Sequence, residues 1–235
     1  MIVGGYNSAW PLYLPAARHL ESVTGQRAVA VPLMPWHWWT AGRRHNAALL
    51  LDKLDGAVGW ARRRRGAERC TLVCHSAGGL VARLYVCGEG APGGRYEGAG
   101  LVDAIYTLGS PHCQQRGTAT GWYLNSLANR AAPGTPHNDT IAYRAVAGQA
   151  VEGRADGSPR EQVAYRNYRA IGGEGNGWGD GTVSLACARL DGAENVTLDG
   201  VGHSLHFGRW YLSSPDVIRR WWTSPPVAGL EESPV

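Results

Sequence analysis

The run Thr71-Leu72-Val73-Cys74-His75-Ser76-Ala77-Gly78-Gly79-Leu80 sets a serine between a short apolar stretch and a helical pattern, with small residues two positions away on either side. A serine hydroxyl works as a nucleophile when a sharp strand-to-helix turn lifts it above a sheet edge and a base takes its proton. Small neighbours let adjacent elements close on such a turn. The helix N-terminus behind Ser76 favours negative charge, and Ala77 is placed to offer its backbone N–H to an oxyanion. The leading position of the G-x-S-x-G pattern is Cys74 rather than glycine. A serine that simply caps a helix satisfies the same letters, so this segment alone leaves both readings open.

The chemistry needs a base, and a carboxylate to hold that base, in the chain order Ser, Asp or Glu, His. Of eight histidines, His203 and His206 follow both Ser76 and a good acid candidate. His203 ends the loop Asp199-Gly200-Val201-Gly202-His203, directly after the predicted final strand, where loops open at the carboxyl edge of a sheet. His206 stands in reserve and reads better as a surface or helix-start residue. The acid is expected at Asp180, in the glycine-flanked turn Gly177-Trp178-Gly179-Asp180-Gly181. Asp191 and Asp199 rival it on order alone, although both sit in segments that read as turns. A second oxyanion donor is expected from Val3-Gly4-Gly5-Tyr6-Asn7, through the Tyr6 N–H. A tight turn into a helix is compatible with that role.

These residues need a scaffold, and the chain alternates short β-branched runs with longer helical patterns, the mark of a mostly parallel sheet between helices. Strands are expected at Met1–Val3, Ala28–Pro32, Thr71–Cys74, Leu101–Leu108, Arg144–Ala147 and Asn195–Leu198. Helices are expected at Pro11–Ser22, from about Arg43 to Arg64, at Ala77–Cys87, and at Ser214–Trp222 with Ser214 as N-cap and Pro215 at the first helical position. This is an α/β chain with a central sheet of about six strands. Residues 1–223 read as one domain, with a functional loop or lid at about 112–141, and 224–235 as a flexible tail. The glycine-rich stretch 172–177 lacks the strand-before, helix-after setting of a phosphate loop and reads as loop.

Composition excludes several classes. Of 235 residues, 44% are apolar and 18% charged, which describes globular rather than disordered chain. The formal charge is only +4 and Lys53 is the only lysine. The basic run Arg62–Arg65 falls where a helix ends, so it complements the helix dipole, and nucleic-acid binding is not expected. No stretch reaches the ~20 apolar residues of a membrane helix. Without a basic-then-apolar leader, a cytoplasmic location is expected. Five cysteines without metal-site spacing are expected as free thiols. Neither metal nor organic cofactor is expected, and oligomeric state is left open.

The Gly4-Gly5-Tyr6 opening, the elbow running from His75 to Arg83, Gly109-Ser110-Pro111-His112, Trp178-Gly179-Asp180-Gly181 and Leu198-Asp199-Gly200-Val201-Gly202-His203-Ser204 together carry a resemblance. The chain resembles a family of small α/β-hydrolases, lipases or esterases of plants, cyanobacteria and other bacteria. It is distantly similar to the GPI inositol-deacylase-like lipases. The resemblance implies the α/β-hydrolase fold, a triad of Ser76, Asp180 and His203, an oxyanion hole from Tyr6 and Ala77, and hydrolysis of carboxylic esters through an acyl-enzyme. Acyl transfer or thioester hydrolysis by the same triad, or an inactive binding protein on this fold, are the alternatives. The substrate is expected to be an apolar, small-molecule or lipid-like ester, met in transient contact with a lipid interface. Trp36, Trp38, Trp39 and Trp122 are candidates for its pocket, against the simpler role of core packing.

Overall fold

Short apolar strands separated by helices can satisfy their backbones in a parallel sheet covered on both faces, because parallel neighbours need a long crossover between them. The structure is a computed structural model and describes residues 1–44, 46–88, 96–113, 119–172 and 174–223. In chain order the elements are β1 (Ile2–Val3), α1 (Leu14–Thr24), α2 (Pro35–Arg44), α3 (Ala48–Arg65), β2 (Cys70–His75) and α4 (Gly78–Val86). There follow α5 (Gly98–Leu101), β3 (Val102–Leu108), α6 (Ala119–Ala131), β4 (Ala142–Gln149), β5 (Val151–Gly153) and α7 (Pro159–Ile171). The chain closes with β6 (Gly177–Gly179), α8 (Leu185–Ala188), β7 (Glu194–Asp199), β8 (Val201–Gly202), β9 (Arg209–Trp210) and α9 (Pro215–Arg219).

The central sheet has five parallel strands in the order β1-β2-β3-β4-β7. One register row runs Val3, Cys74, Thr107, Ala145, Asn195. The expected sixth strand, Ala28–Pro32, is reduced to one bridge between Ala30 and Ile2 on the outer side of β1. Pro32 has no N–H to donate, and the Leu33 N–H turns back to the Val31 carbonyl at 2.7 Å, so pairing stops there. Topologically the piece still matters. From β1 the chain steps outward to Ala30, then crosses back to β2 on the other side. Strand order reverses at β1, and ligand crevices of open α/β sheets form outside the carboxyl ends of strands at such a reversal.

Alternating side chains of the sheet feed two cores. Val3, Leu72, Cys74 and Ile105 pack beneath α3 and α4 with Leu50, Leu54 and Leu80, while Ile2, Val73, Tyr106 and Val146 pack beneath α1 and α9 with Leu20 and Ile218. All nine residues of α4 are buried, and that includes Arg83. Its Nε donates to the Ala132 carbonyl at 3.1 Å and an Nη to Asn129 Oδ1 at 3.2 Å. The guanidinium thereby closes the C-terminal end of α6, where the helix dipole favours a cation. Burial still pulls its pKa down to about 10.

Three expectations need correction. The segment 112–141 contains a 13-residue helix, α6, which buries Leu124 and Ala128 in the same core as α3 and α4. Its small and polar residues hide the helical period. Cys113 and Cys187 are joined by a disulfide across 74 residues, and Cys70, Cys74 and Cys87 lie outside that bond. The long helix expected from about Arg43 begins instead at Ala48 as α3, and a separate helix, α2, which was not expected, precedes it. The Arg62–Arg65 run does end α3, followed by Gly66 in the left-handed conformation. Among the described residues no helix is long and apolar enough to cross a membrane. The tail 224–235 lies outside the described residues.

Candidate active site

Ser76 falls between the end of β2 and the start of α4, with φ of 53°. A non-glycine residue in the left-handed region is uncommon and costs local strain, which the surrounding packing must hold. Its N–H donates to the Leu108 carbonyl at 2.9 Å, tying the turn to the end of β3. Glycines make the tight approach feasible. A Cβ on Gly5 would lie 2.8 Å from the Ser76 Cβ, and one on Gly79 would lie 2.8 Å from the Ser110 Cβ. On Gly78 it would run into the Val3 and Gly4 carbonyls. Cys74, where a glycine is usual, is fully buried between Val3 and Thr107 and fits as a small apolar residue.

Asp180 and His203 meet directly: His203 Nδ1 lies 2.8 Å from Asp180 Oδ2. The carboxylate is 1% exposed and its oxygens are saturated. Oδ1 accepts from the Thr182 and Val183 N–H groups at 2.9 and 2.7 Å, and Oδ2 accepts from the Tyr211 hydroxyl at 2.9 Å. The His203 N–H donates to the Asp180 carbonyl at 2.8 Å, so backbone and side chain are fixed by the same partner. A buried carboxylate held this way is an immobile hydrogen-bond acceptor for an imidazole.

His75 links this pair to the serine turn. Its ring lies 4.7 Å from that of His203, centroid to centroid, and its Nε2 is 3.0 Å from the His203 carbonyl. Its Nδ1 is 2.9 Å from the Tyr13 hydroxyl, which in turn accepts the Gly5 N–H at 2.9 Å. Burial, then the neighbouring His203, bring the His75 pKa down to about 3. A neutral ring donating from Nε2 and accepting at Nδ1 satisfies these two contacts, while the Trp210 indole N–H approaches the same Nε2 at 3.3 Å. One side chain therefore pins the loop after β1, the serine turn and the His203 loop together.

The two residues expected as oxyanion donors both adjoin the serine turn. Tyr6 follows Gly5, which presses on Ser76, and Ala77 is the residue after it. Neither N–H has a hydrogen-bond partner among the described residues. The rivals fall away from this grouping: Asp191 and Asp199 are exposed at a turn and at the end of β7, and His206 is exposed in the short helical turn 205–207.

The tryptophans divide. Trp38 is a correction, since it is fully buried in the core, edge-on to Tyr6 at 6.1 Å. Helix α2 turns it inward and leaves Trp36 and Trp39 outward at 53% and 48% exposure. Trp39 Nε1 donates to Asn7 Oδ1 at 2.9 Å, which fastens α2 to the loop carrying Tyr6. The side chain of Trp122 lies outside the described residues. Sequence reasoning missed Tyr13, His75, Tyr211 and the exposed Leu205, two residues beyond His203. The one local signal was a histidine directly before the serine.

No protein-family model and no curated protein matches the chain. Solved structures similar to it include an acetylxylan esterase, 16% identical over 61% of this chain and 80% of that one with a TM-score of 0.32. They also include RedJ, solved with a PEG molecule in its active site, 14% identical over 91% and 82% with a TM-score of 0.39. At those values the functional reading rests on the geometry of this chain alone.

Proposed function

We propose that this chain is a serine-dependent carboxylic ester hydrolase of the α/β-hydrolase fold. The observation that carries the reading is the 2.8 Å Asp180–His203 contact, built around a buried, saturated carboxylate and pinned through His75 to a serine of positive φ. In this mechanism His203 takes the Ser76 proton as the hydroxyl oxygen attacks the ester carbonyl. The oxyanion forms against the unpartnered N–H groups of Tyr6 and Ala77. His203 then protonates the departing alcohol, leaving an acyl-Ser76 ester. A water molecule, deprotonated by His203, attacks that ester, and the acid leaves as the proton returns to Ser76. Asp180 keeps Nδ1 protonated and stabilises the imidazolium in each half. This cycle needs no cofactor.

Tyr6, Trp39 and Leu205, exposed at 44%, 48% and 74%, belong to the segments next to Ser76 and His203 and favour an apolar, lipid-like ester. The Cys113–Cys187 bond favours an oxidising compartment over the cytoplasm. The test is hydrolysis of p-nitrophenyl esters of increasing acyl length by wild type and Ser76→Ala. Wild type is expected to turn over the longer esters best, and the variant to lose roughly 10⁴-fold or more in kcat. Folded wild type inert on every ester, or an active variant, would refute the assignment.

A further inference from the structure

Between α1 and α3, outside the edge where Ala28–Pro32 flanks β1, the chain encloses a groove of about 700 Å³. It shares no lining residue with the Ser76, Asp180 and His203 grouping. Its walls are apolar: Trp10, Leu14 and Ala17 on one side, Ala57 and Trp60 on the other. Leu14 and Trp60 remain 41% and 39% exposed, so the walls face solvent rather than each other. The size falls within the ~300–1,000 Å³ of small-molecule sites.

Two charged side chains, Lys53 and Asp52, stand in this otherwise apolar lining. Lys53, half-buried on α3, is the only lysine of the chain. Among the described residues no carboxylate forms an ion pair with it. Its neighbour Asp52 also borders the groove, but Asp52 Oδ1 accepts the Tyr96 hydroxyl at 2.8 Å. An apolar trough whose one lysine ammonium makes no ion pair among the described residues, beside an Asp52 carboxylate engaged by Tyr96, matches a ligand with one alkyl chain and one negative charge. The chain would cover the exposed indole and leucine surface, and the carboxylate would supply the missing partner for Lys53.

We propose that this groove binds a long-chain carboxylate, with its alkyl chain between Trp10 and Trp60 and its carboxylate on Lys53. The assignment is independent of the reaction proposed for Ser76. Because Lys53 is unique, reductive methylation with ¹³C-formaldehyde places a reporter on a single side chain while retaining its charge. Sodium laurate, added below its micelle concentration to the full chain, is expected to shift the Lys53 signal saturably, in wild type and in Ser76→Ala alike. By calorimetry, Lys53→Gln is expected to weaken laurate binding roughly tenfold or more, the loss of one charge-assisted hydrogen bond. Dodecanol is expected to bind Lys53→Gln as it binds wild type. Ala57→Trp, which fills the groove and leaves Lys53 in place, is expected to abolish binding with an unchanged circular dichroism spectrum. A Lys53 signal that laurate leaves unmoved, or equal laurate affinity in Lys53→Gln, would overturn the proposal. So would a shift that appears only with dimer formation or only on anionic vesicles.

Discussion

At the scale of the residue, the site depends on neutral polar groups kept from water. His75 is the sharpest case. Its folded pKa is depressed to about 3 by burial, whereas the unfolded ring titrates near the ordinary ~6.5. Below that value the unfolded chain binds a proton that the folded chain refuses. Its stabilising contribution is therefore complete above about 6.5 and is lost as pH falls toward about 3. Buried His112, pushed down by burial and by Arg83, acts in the same direction. The melting temperature is expected to fall between pH 7 and pH 4, and His75→Gln to flatten that slope; an unchanged slope would contradict the buried, neutral ring. Tyr211→Phe removes one donor from Asp180 and orphans the Gly148 N–H, which now donates to the tyrosine at 2.7 Å. It is expected to cost about 1–3 kcal/mol in denaturant unfolding, and kcat should fall while KM holds. The Asp180–His203 contact and the strained turn at Ser76 were legible because residue type, chain order and local turn letters agree. Tyr13 and Tyr211 were not, because their partners lie 62 and 31 residues away and no local pattern encodes them.

At the scale of the element, legibility followed the hydrophobic period. β2, β3 and α4 are continuous apolar runs, and the structure places them within a residue or two of the expected bounds. α9 begins as its letters announce, with Ser214 accepting the Val217 N–H and Pro215 at the first turn. α6 and α7 went unread because alanine, asparagine, arginine and tyrosine blur the apolar stripe. Yet α7 carries a clear start signal, since Ser158 and Glu161 form a reciprocal capping box ahead of it. Ser158→Ala is expected to lower stability by about 1 kcal/mol in urea unfolding; a neutral result would show that Pro159 and packing hold the helix unaided. Ala28–Pro32 has strand composition and fails as a strand because Pro32 ends its ladder. The serine turn makes a stronger demand. Gly78→Ala must displace the backbone of Val3 and Gly4, so a loss of about 1–3 kcal/mol is expected. Ester turnover should fall with it, because the same shift moves Tyr6.

At the scale of the whole molecule, the sheet and its two cores were readable from the alternation of strands and helices, but the covalent tie was not. Pairing of Cys113 with Cys187 depends on where β4, α7 and β6 place the two chain ends. Spacing alone does not fix that. Constraint of the unfolded chain across 74 residues is expected to contribute up to about 4 kcal/mol. Reduction by dithiothreitol, or Cys113→Ser with Cys187→Ser, should lower the denaturation midpoint accordingly, and equal midpoints would show the tie to be energetically idle.

The same bond sets how the molecule yields under force. A tether pulled from its two ends loads β1 and α9 directly. The segment from 113 to 187, containing α6, β4, β5, α7 and β6, is short-circuited by the sulfur link and bears no tension while the link is intact. At roughly 3.5 Å per residue, an oxidised molecule should therefore release about 26 nm less contour length than a reduced one. Adding a reductant to a stretched chain should free that length in one step, making the protein a force-bearing thread whose slack is stored behind a single chemical clasp.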